Sequence, residues 1–236
     1  MNIRLYHPDS IQENKTSLLS KEHTHYVVNV MRLKRGSFLN LFNKNGEWKS
    51  EIIFLDKDRV EVKFLKKIKD ISYSSNIELA ICLVKKNPME TILQKATELG
   101  VKKIIPIISE RTEVKEINFD RAKRIVIEAT EQSNQLEPPE ITEIVKLRDF
   151  LKTLDETSKL LFADVNSNDN LKKEDFKDCK SLSILIGPEG DFSPIERETI
   201  LGNKVAKPFT ISKNILRSDT AVISAISLVN FINKFH

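Results

Sequence analysis

The sequence predicts an α/β protein in which a small, mainly β domain precedes a domain built on a mainly parallel sheet. Two observations predict this order: short strands dominate roughly the first seventy residues, and strands then alternate with helices. Between the two regions lies a polar stretch rich in lysine and serine, residues 66–75, where we expect a linker. We therefore predict one domain over residues 1–72 and a second over residues 73–236.

The N-terminal strands are predicted from alternating apolar residues and from turn signals. Three of them are expected, at Ser37–Phe42, Trp48–Leu55 and Arg59–Leu65. Asn45 and Gly46 separate the first two, and this pair favours a tight hairpin because both residues tolerate positive φ. A short helix is expected between Ser20 and Lys34. Several short strands with one helix indicate a small barrel.

The C-terminal elements alternate in type, as in a parallel sheet covered by helices. The expected strands are Ile77–Val84, Ile104–Ile108, Leu160–Ala163 and Leu182–Ile186. The expected helices are Pro88–Leu99 and Phe119–Gln132. For the first helix we predict Asn87 as N-cap, Pro88 at the first helical position and Gly100 just beyond the last turn.

Composition narrows the classes of protein to consider. The 236 residues carry a net charge of +4 and a pI near 8.9, which suits a nucleic-acid partner but also an ordinary cytosolic protein. The sequence shows no membrane span and no signal peptide, so we expect a cytoplasmic location. Two cysteines are too few for a disulfide framework, and four scattered histidines lack metal-site spacing, so we expect no metal.

One loop has the composition of a ligand site. Gly187–Asp191 follows a buried strand and precedes a capping box with Ser193 as N-cap, Pro194 at the first helical position and Glu196 at the third. Loops after parallel strands bind ligands, and glycine permits close approach and unusual φ values. The loop lacks a phosphate-binding pattern and contains Glu189, so it suits a ligand with a positive centre. A tight turn with no ligand is an equally good interpretation of the loop alone.

Separated motifs throughout the chain resemble one family. IGPEGDFSPIE (186–196) and LRSDTA (216–221) are joined by ILQKATELGVKKIIPIISERT (92–112), EATEQS (128–133) and PPEI (138–141). RLYH (4–7) and HYVVNVMRLKRGSFLNLF (25–42) complete the match at the front. Together they resemble the RsmE-type small-subunit (16S) ribosomal RNA uridine-N3 methyltransferases of the SPOUT superfamily.

The resemblance implies a PUA-like β-barrel followed by a trefoil-knotted SPOUT domain that uses S-adenosylmethionine. It implies that backbone groups of three loops hold this cofactor, at 161–164, 185–190 and 210–217, with the next helix. The residues expected to bind it are Leu161, Phe162, Ala163, Leu185, Ile186, Gly187, Pro188, Glu189, Gly190, Ile211, Ile215, Leu216 and Ala221. The implied partners are 16S ribosomal RNA or the small subunit and a second copy of the chain.

The last helix gives the homodimer separate support. It is apolar nearly all round, with a narrow polar stripe through Ser224, Ser227 and Asn230. Such a helix must be buried on most sides, and a partner subunit can supply part of the cover. Burial within its own chain is an equally good interpretation without the family.

Catalysis would need alignment of the methyl donor and help in removing the uracil N3 proton. Arg217 is the candidate for positioning the substrate or stabilising the developing negative charge, and its alternative role is to hold the last loop in place. No general base is identified. Glu131 and Gln132 are considered for the RNA-facing mouth, but an exposed helix face is the preferred interpretation of Glu131.

RNA binding requires cations. The candidates are Arg4, Arg32, Lys34, Arg35, Arg111 and Lys115. The chain departs from the family's usual pattern at Asn134, Gln135, Ser212 and Asn214, which affects the expected RNA docking. Three rival functions are weighed: methylation of another RNA atom such as a ribose 2′-hydroxyl, RNA-binding assembly without catalysis, and a nucleotide-binding oxidoreductase, for which the glycine-rich fingerprint is missing.

Overall fold

The computed structural model describes residues 3–70, 76–176 and 179–234. The chain divides into two compact units. The N-terminal unit contains residues 1–73 together with residues 130–137, and the C-terminal unit contains residues 74–129 and 138–236. The predicted boundary between residues 72 and 73 lies outside the described residues.

The N-terminal unit is built on a five-stranded sheet. Its strands are β1 (Arg4–Tyr6), β2 (Thr16–Leu18), β3 (Phe38–Asn43), β4 (Gly46–Leu55) and β5 (Val60–Lys69). Their order is β1-β3-β4-β5-β2, with β1 parallel to β3 and the other pairs antiparallel. Leu41, Ile52 and Val62 are fully buried in its core.

Three predictions for this unit need correction. The helix expected between Ser20 and Lys34 is only α1 (Lys21–His25), continued by one π-helical turn, Tyr26–Val30. The hairpin exists, but its turn residues are 44 and 45; Gly46, with φ of 135°, already pairs with Asn43 in the ladder. The expected linker begins too early, because β5 pairs with β4 as far as Lys69 and uses the first lysines of the polar stretch.

The C-terminal unit contains a parallel sheet, five α-helices and one 3₁₀ helix, Lys173–Phe176, among its described residues. The strands are β6 (Ile77–Cys82), β7 (Lys103–Ile108), β8 (Glu140–Ile141), β9 (Val145–Lys146), β10 (Ser158–Ala163), β11 (Ser181–Ile186) and β12 (Ala206–Phe209). The helices are α2 (Lys86–Glu98), α3 (Phe119–Gln132, whose last residues belong to the N-terminal unit), α4 (Leu147–Lys152), α5 (Pro194–Leu201) and α6 (Ser218–Lys234). The strand order is β12-β10-β11-β6-β7-β8, and β9 also pairs with β7.

Helices cover both faces of this sheet. Leu79 and Ile81 of β6 face a core with α2, α3 and α6, whereas Ala80 and Cys82 face a core with α4 and α5. Successive side chains of a strand point to opposite faces, so burial of all four residues requires a cover on each side. The predicted α/β class with a mainly parallel sheet is confirmed. None of the described helices has the length and apolar character needed to cross a membrane.

The start of α2 differs from its prediction. The N-cap is Lys85, which makes no side-chain capping hydrogen bond, so Asn87 and Pro88 lie inside the first turn. Proline is tolerated there because the first N–H groups of a helix have no intrahelical acceptor. The predicted end is correct, since Gly100 has φ of 85° directly after the C-cap.

Candidate cofactor site

Three loops emerge side by side at the carboxyl edge of the parallel sheet. They follow β10, β11 and β12, which are neighbours in the sheet. Phe162 pairs with Leu185, and Ala163 pairs with Phe209, so the three strands end at nearly the same level. Since parallel strands present their carboxyl ends at one edge, this arrangement brings together the three segments predicted to bind the cofactor.

The loop after β11 is shaped by close packing. A Cβ atom on Gly187 would lie 3.1 Å from Cε2 of Phe192, which is tighter than ordinary contact. The prediction that glycine supplies an unusual φ in this loop is wrong: the residue with positive φ is Asp191, at 60°. Its N–H donates to the carbonyl oxygen of Pro188 at 2.9 Å, and its Oδ1 accepts from the N–H of Phe192 at 2.8 Å. Aspartate tolerates this conformation because its side chain binds the local backbone.

The tip of the same loop offers groups to a ligand. The N–H groups of Glu189 and Gly190 donate to no acceptor among the described residues. The side chain of Glu189 is exposed, whereas Pro188 is buried. Free backbone donors beside an exposed carboxylate suit a ligand that combines hydrogen-bonding groups with a positive charge. The chemistry of these groups therefore fits S-adenosylmethionine, whose sulfonium is such a charge.

Two contacts join this loop to the loop after β7. The capping box at the start of α5 is present as predicted, and Oε1 of Glu196 also accepts from the N–H of Glu110 at 2.8 Å. The guanidinium of Arg111 donates to the carbonyl oxygen of Gly190 at 2.9 Å. Arg111, a predicted RNA contact, thus has an acceptor within the candidate site itself.

An ion pair anchors the end of β10. Asp164 is almost fully buried, and its Oδ2 lies 2.7 Å from Nη2 of Arg197 on α5. Its Oδ1 accepts from Nε of the same guanidinium at 3.3 Å and from the N–H of Asn166 at 2.9 Å. Its own N–H donates to the carbonyl oxygen of Phe209 at the end of β12. Asp164 therefore contacts the loop after β10, the helix after β11 and the end of β12. The role of Arg197 was missed because nothing local in the sequence indicates it.

The loop after β12 leads into α6 and contains the remaining cofactor candidates. The Thr210 N–H donates to the carbonyl oxygen of Asp169 at 2.8 Å, and Arg217 is exposed at the end of the loop. Ile215 is 89% exposed, which leaves its side chain available to a ligand, while Leu216 is half-buried. The remaining candidates on the strands pack their side chains in the core, so only their backbones can meet a ligand: Leu161, Phe162, Leu185 and Ile186.

A buried thiol near the site is not a reactive group. Burial raises the pKa of Cys82 to about 12, against a smaller lowering by hydrogen bonds from Ser109 and Thr112. The side chain is fully buried. A thiol with this pKa is protonated at neutral pH and supplies neither a nucleophile nor a base.

The predicted RNA-binding cations are distributed over both units. Arg32, Lys34 and Arg35 are exposed in the N-terminal unit, and Arg32 has a positive φ of 51°. Lys115 is exposed in the C-terminal unit. Arg4 differs from these residues, because its guanidinium is paired within the N-terminal unit.

Residues 130–137 are held against the N-terminal sheet. Arg4 donates to the carbonyl oxygens of Glu131 at 2.8 Å and Gln135 at 2.9 Å, and it pairs with Glu47 at 3.0 Å. The carboxylate of Glu131 accepts from the N–H of Tyr6 at 2.8 Å and lies 3.0 Å from Nε2 of His23. The preferred interpretation of Glu131 as part of an exposed helix face is therefore wrong.

Comparisons with known proteins agree over nearly the whole chain. The RNA methyltransferase domain family matches residues 71–230, and the RNA methyltransferase PUA domain family matches residues 19–65. The ribosomal RNA small subunit methyltransferase E of Rickettsia conorii is 34% identical, over 98% of this chain and 96% of its own length. The enzyme of that name from Bacillus subtilis is 28% identical, over 94% and 92%.

Two solved structures are similar over 98% of both chains. One is a ribosomal RNA small subunit methyltransferase E from Neisseria gonorrhoeae bound to S-adenosyl methionine, with 27% identity and a TM-score of 0.88. The other is a methyltransferase from Legionella pneumophila in complex with the bound cofactor SAM, with 31% identity and a TM-score of 0.86.

Proposed function

The chain belongs to the ribosomal RNA small subunit methyltransferase E family, and from this premise we propose that it methylates N3 of one uridine in 16S ribosomal RNA with S-adenosylmethionine. The observation that carries the proposal is the junction of three loops at one sheet edge, in a fold similar to enzymes solved with this cofactor. The proposed specificity for uridine N3 rests on the family.

The cofactor would lie against the loops after β10, β11 and β12. Glu189, Gly190 and Ile215 present exposed groups there, and the strand ends contribute backbone. The predicted set stays a proposal for every member: Leu161, Phe162, Ala163, Leu185, Ile186, Gly187, Pro188, Glu189, Gly190, Ile211, Ile215, Leu216 and Ala221. The contacts of Arg111 with Gly190 and of Arg197 with Asp164 would hold these loops in place before the cofactor arrives.

When bound, S-adenosylmethionine supplies a methyl group on a positively charged sulfur. Transfer would form a bond between uracil N3 and the methyl carbon, while the electrons of the broken carbon–sulfur bond return to sulfur. The N3 proton is released. We assign help in this step to Arg217. Its exposed guanidinium, one residue before α6, can donate to a uracil oxygen and stabilise negative charge that develops as the proton leaves.

The exposed cations Arg32, Lys34, Arg35 and Lys115 are proposed to contact RNA phosphates. Arg4 and Arg111 already have internal acceptors, so we assign them to holding the protein's own structure instead. We also propose an RNA-binding domain over residues 1–72 and a catalytic domain over residues 73–236 whose path is knotted.

A homodimer and a cytoplasmic location complete the proposal. Helix α6 exposes Phe231 to 59%, although Val222, Ile226 and Val229 on the same helix are fully buried. A second copy packed on α6 would cover that ring. The location follows from the proposed substrate, the small ribosomal subunit.

Label transfer tests this proposal. The purified protein is incubated with S-adenosylmethionine labelled in the methyl group and with small or large ribosomal subunits from cells that lack this methyltransferase. We expect label in 16S RNA only, with at least a hundredfold lower rate for Arg217→Ala and near wild-type rate for Lys213→Ala, an exposed cation of the same loop. Tight binding of small subunits without label transfer, with a control enzyme active on the same preparation, would instead indicate a non-catalytic assembly factor.

A further inference from the structure

The outer face of the N-terminal sheet carries an open row of side chains. Residues directly opposite one another in a ladder share a face. Thr16 pairs with Lys63, Lys63 with Glu51, and Glu51 with Phe38, so this row crosses β2, β5, β4 and β3. Phe38 lies at its end and is 52% exposed.

A bulge in β4 brings a second aromatic ring to the same face. Ile52 pairs with Val62 in the core, and Phe54 pairs with Glu61. Val62 and Glu61 are neighbours in β5, whereas Ile53 lies between Ile52 and Phe54 in β4, so β4 has one extra residue at this point. Because Val62 and Glu61 are consecutive, their partners point to opposite faces. Phe54 therefore lies on the outer face, in a row with Glu61 and Leu18, and is 44% exposed.

Each of these rings has a cation beside it. Nζ of Lys49 lies 4.3 Å from the centroid of the Phe38 ring, and Cζ of Arg59 lies 5.4 Å from the centroid of the Phe54 ring. Exposed aromatic rings accompanied by cations are the groups that bind unpaired nucleotides, since bases stack on the rings and phosphates meet the charges.

At the other end of the same face, a similar pair of an aromatic ring and a cation is buried. Arg4 lies 4.2 Å above the ring of Phe42, which is fully buried. There Arg4 also donates to the carbonyl oxygens of Glu131 and Gln135. The chain thus covers one aromatic–cation pair itself, whereas Phe38 and Phe54 remain exposed.

The charges around Phe38 and Phe54 favour an anionic partner. Among the described residues, the unpaired cations there are Lys49, Lys63 and Lys66, whereas Arg59 lies 3.4 Å from the carboxylate of Glu61, and Glu51 is the other carboxylate. Lys49 and Lys66 are directly opposite each other, which is unfavourable between like charges unless an anion lies between them. A phosphate group satisfies that requirement.

We propose that this outer face, defined by Phe38, Lys49, Phe54, Lys63 and Lys66, binds an unpaired segment of the substrate RNA. The inference rests on the proposed function for the identity of the polymer. Bases stack on Phe38 and Phe54, and phosphates lie near the lysines. Duplex RNA binds less well, because its bases already stack on one another and present no free face to the rings.

The test compares the two rings with a matched aliphatic residue. Fluorescence anisotropy measures the Kd of a fluorescein-labelled twelve-residue oligouridylate for the full chain and for Phe38→Ala, Phe54→Ala and Leu18→Ala. We expect each phenylalanine variant to raise the Kd at least about fivefold, as loss of one stacked base predicts. Leu18→Ala, on the same face and equally exposed, changes it less than twofold. Phe38→Trp retains or improves binding, and the matched oligouridylate–oligoadenylate duplex binds more weakly than the single strand.

Cofactor binding separates failure of this inference from failure of the proposed function. Isothermal titration with S-adenosylmethionine should give the same Kd for all these variants, and circular dichroism should show the same fold. Normal cofactor binding with unchanged oligouridylate binding in the Phe38→Ala, Phe54→Ala double variant overturns the RNA surface alone. The RNA surface is also overturned if the double variant sediments as a monomer, the wild type sediments as a dimer, and both bind oligouridylate equally well. A wild-type protein that binds neither cofactor nor RNA overturns both proposals.

Discussion

Asp164 and Arg197 form an ion pair at the edge of the candidate cofactor site, with 2.7 Å between Oδ2 and Nη2. The carboxylate side chain is only 1% exposed, while the guanidinium is about one-third exposed. Asp164 stands directly after β10, and Arg197 lies on α5, four residues beyond its N-cap Ser193. The pair therefore fixes the loop after β10 against the helix that follows the loop after β11.

Removing the arginine should destabilise the C-terminal unit. Arg197→Ala leaves the buried carboxylate with fewer donors, and we expect a loss of about 1–3 kcal/mol in the free energy of unfolding. Lys152→Ala is the control, because its pair with Asp149 is exposed on both sides and its loss should leave the free energy of unfolding nearly unchanged. Urea unfolding measures both. Equal effects of the two substitutions would show that the buried pair has no special role.

Gly187→Ala should disturb the loop after β11. The added Cβ would lie 3.1 Å from the Phe192 ring, so either the ring or the loop must shift. At Gly190 the nearest atom would be 3.7 Å away, an ordinary contact. We expect Gly187→Ala to cost about 1–3 kcal/mol, which lowers Tm by about 2–10 °C. Gly190→Ala should leave Tm of the cofactor-free protein within about 1 °C; a larger shift at Gly190 than at Gly187 would contradict the packing argument.

The Cys82 thiol should make stability fall at alkaline pH. Burial raises its pKa to about 12 from an ordinary value of 9.0. The folded protein therefore keeps this proton when the unfolded chain loses it, and its contribution, present below pH 9, is lost as pH rises toward 12. The slope is about 1.4 kcal/mol per pH unit at most. We expect a flatter loss of unfolding free energy between about pH 9 and pH 10.5 in Cys82→Ala than in the wild type. Superimposable profiles would contradict the burial of a protonated thiol.

Glu131→Ala should weaken the attachment of residues 130–137 within the N-terminal unit. The substitution removes the acceptor for the Tyr6 N–H and the partner of His23, so we expect a loss of about 1–3 kcal/mol. Hydrogen exchange measures the effect locally, as faster exchange at the Tyr6 amide. Gln132→Ala, an exposed neighbour, should not change that rate. Glu131→Gln keeps an acceptor oxygen and should restore most of the protection.

Sequence patterns predicted helix positions well where the stabilising interactions join residues close together in the chain. The capping box at Ser193 and Glu196 is present at the predicted residues, and Phe119–Gln132 has the predicted bounds. Both depend on interactions within four residues. The predicted N-cap Asn87 failed although it is also a local signal, because the helix extends two residues further and begins after Lys85.

Contacts between distant residues could not be predicted from those patterns. Arg111 and Gly190 are 79 residues apart, and their predicted roles, Arg111 in RNA binding and Gly190 in cofactor binding, imply no link between them. Residues 130–137 join the N-terminal unit through Arg4, 127 residues from Glu131. The bulge that turns Phe54 outward depends on how β4 pairs with β5, and register is a property of the sheet rather than of either strand.

Identification of the methylated nucleoside tests the central claim most directly. Small subunits lacking the modification are treated with the protein and S-adenosylmethionine, and the 16S RNA is digested to nucleosides for mass spectrometry with chromatographic standards. The proposal predicts 3-methyluridine as the product, absent when the cofactor is omitted. A methylated ribose or a different methylated base would contradict the assignment of uridine N3.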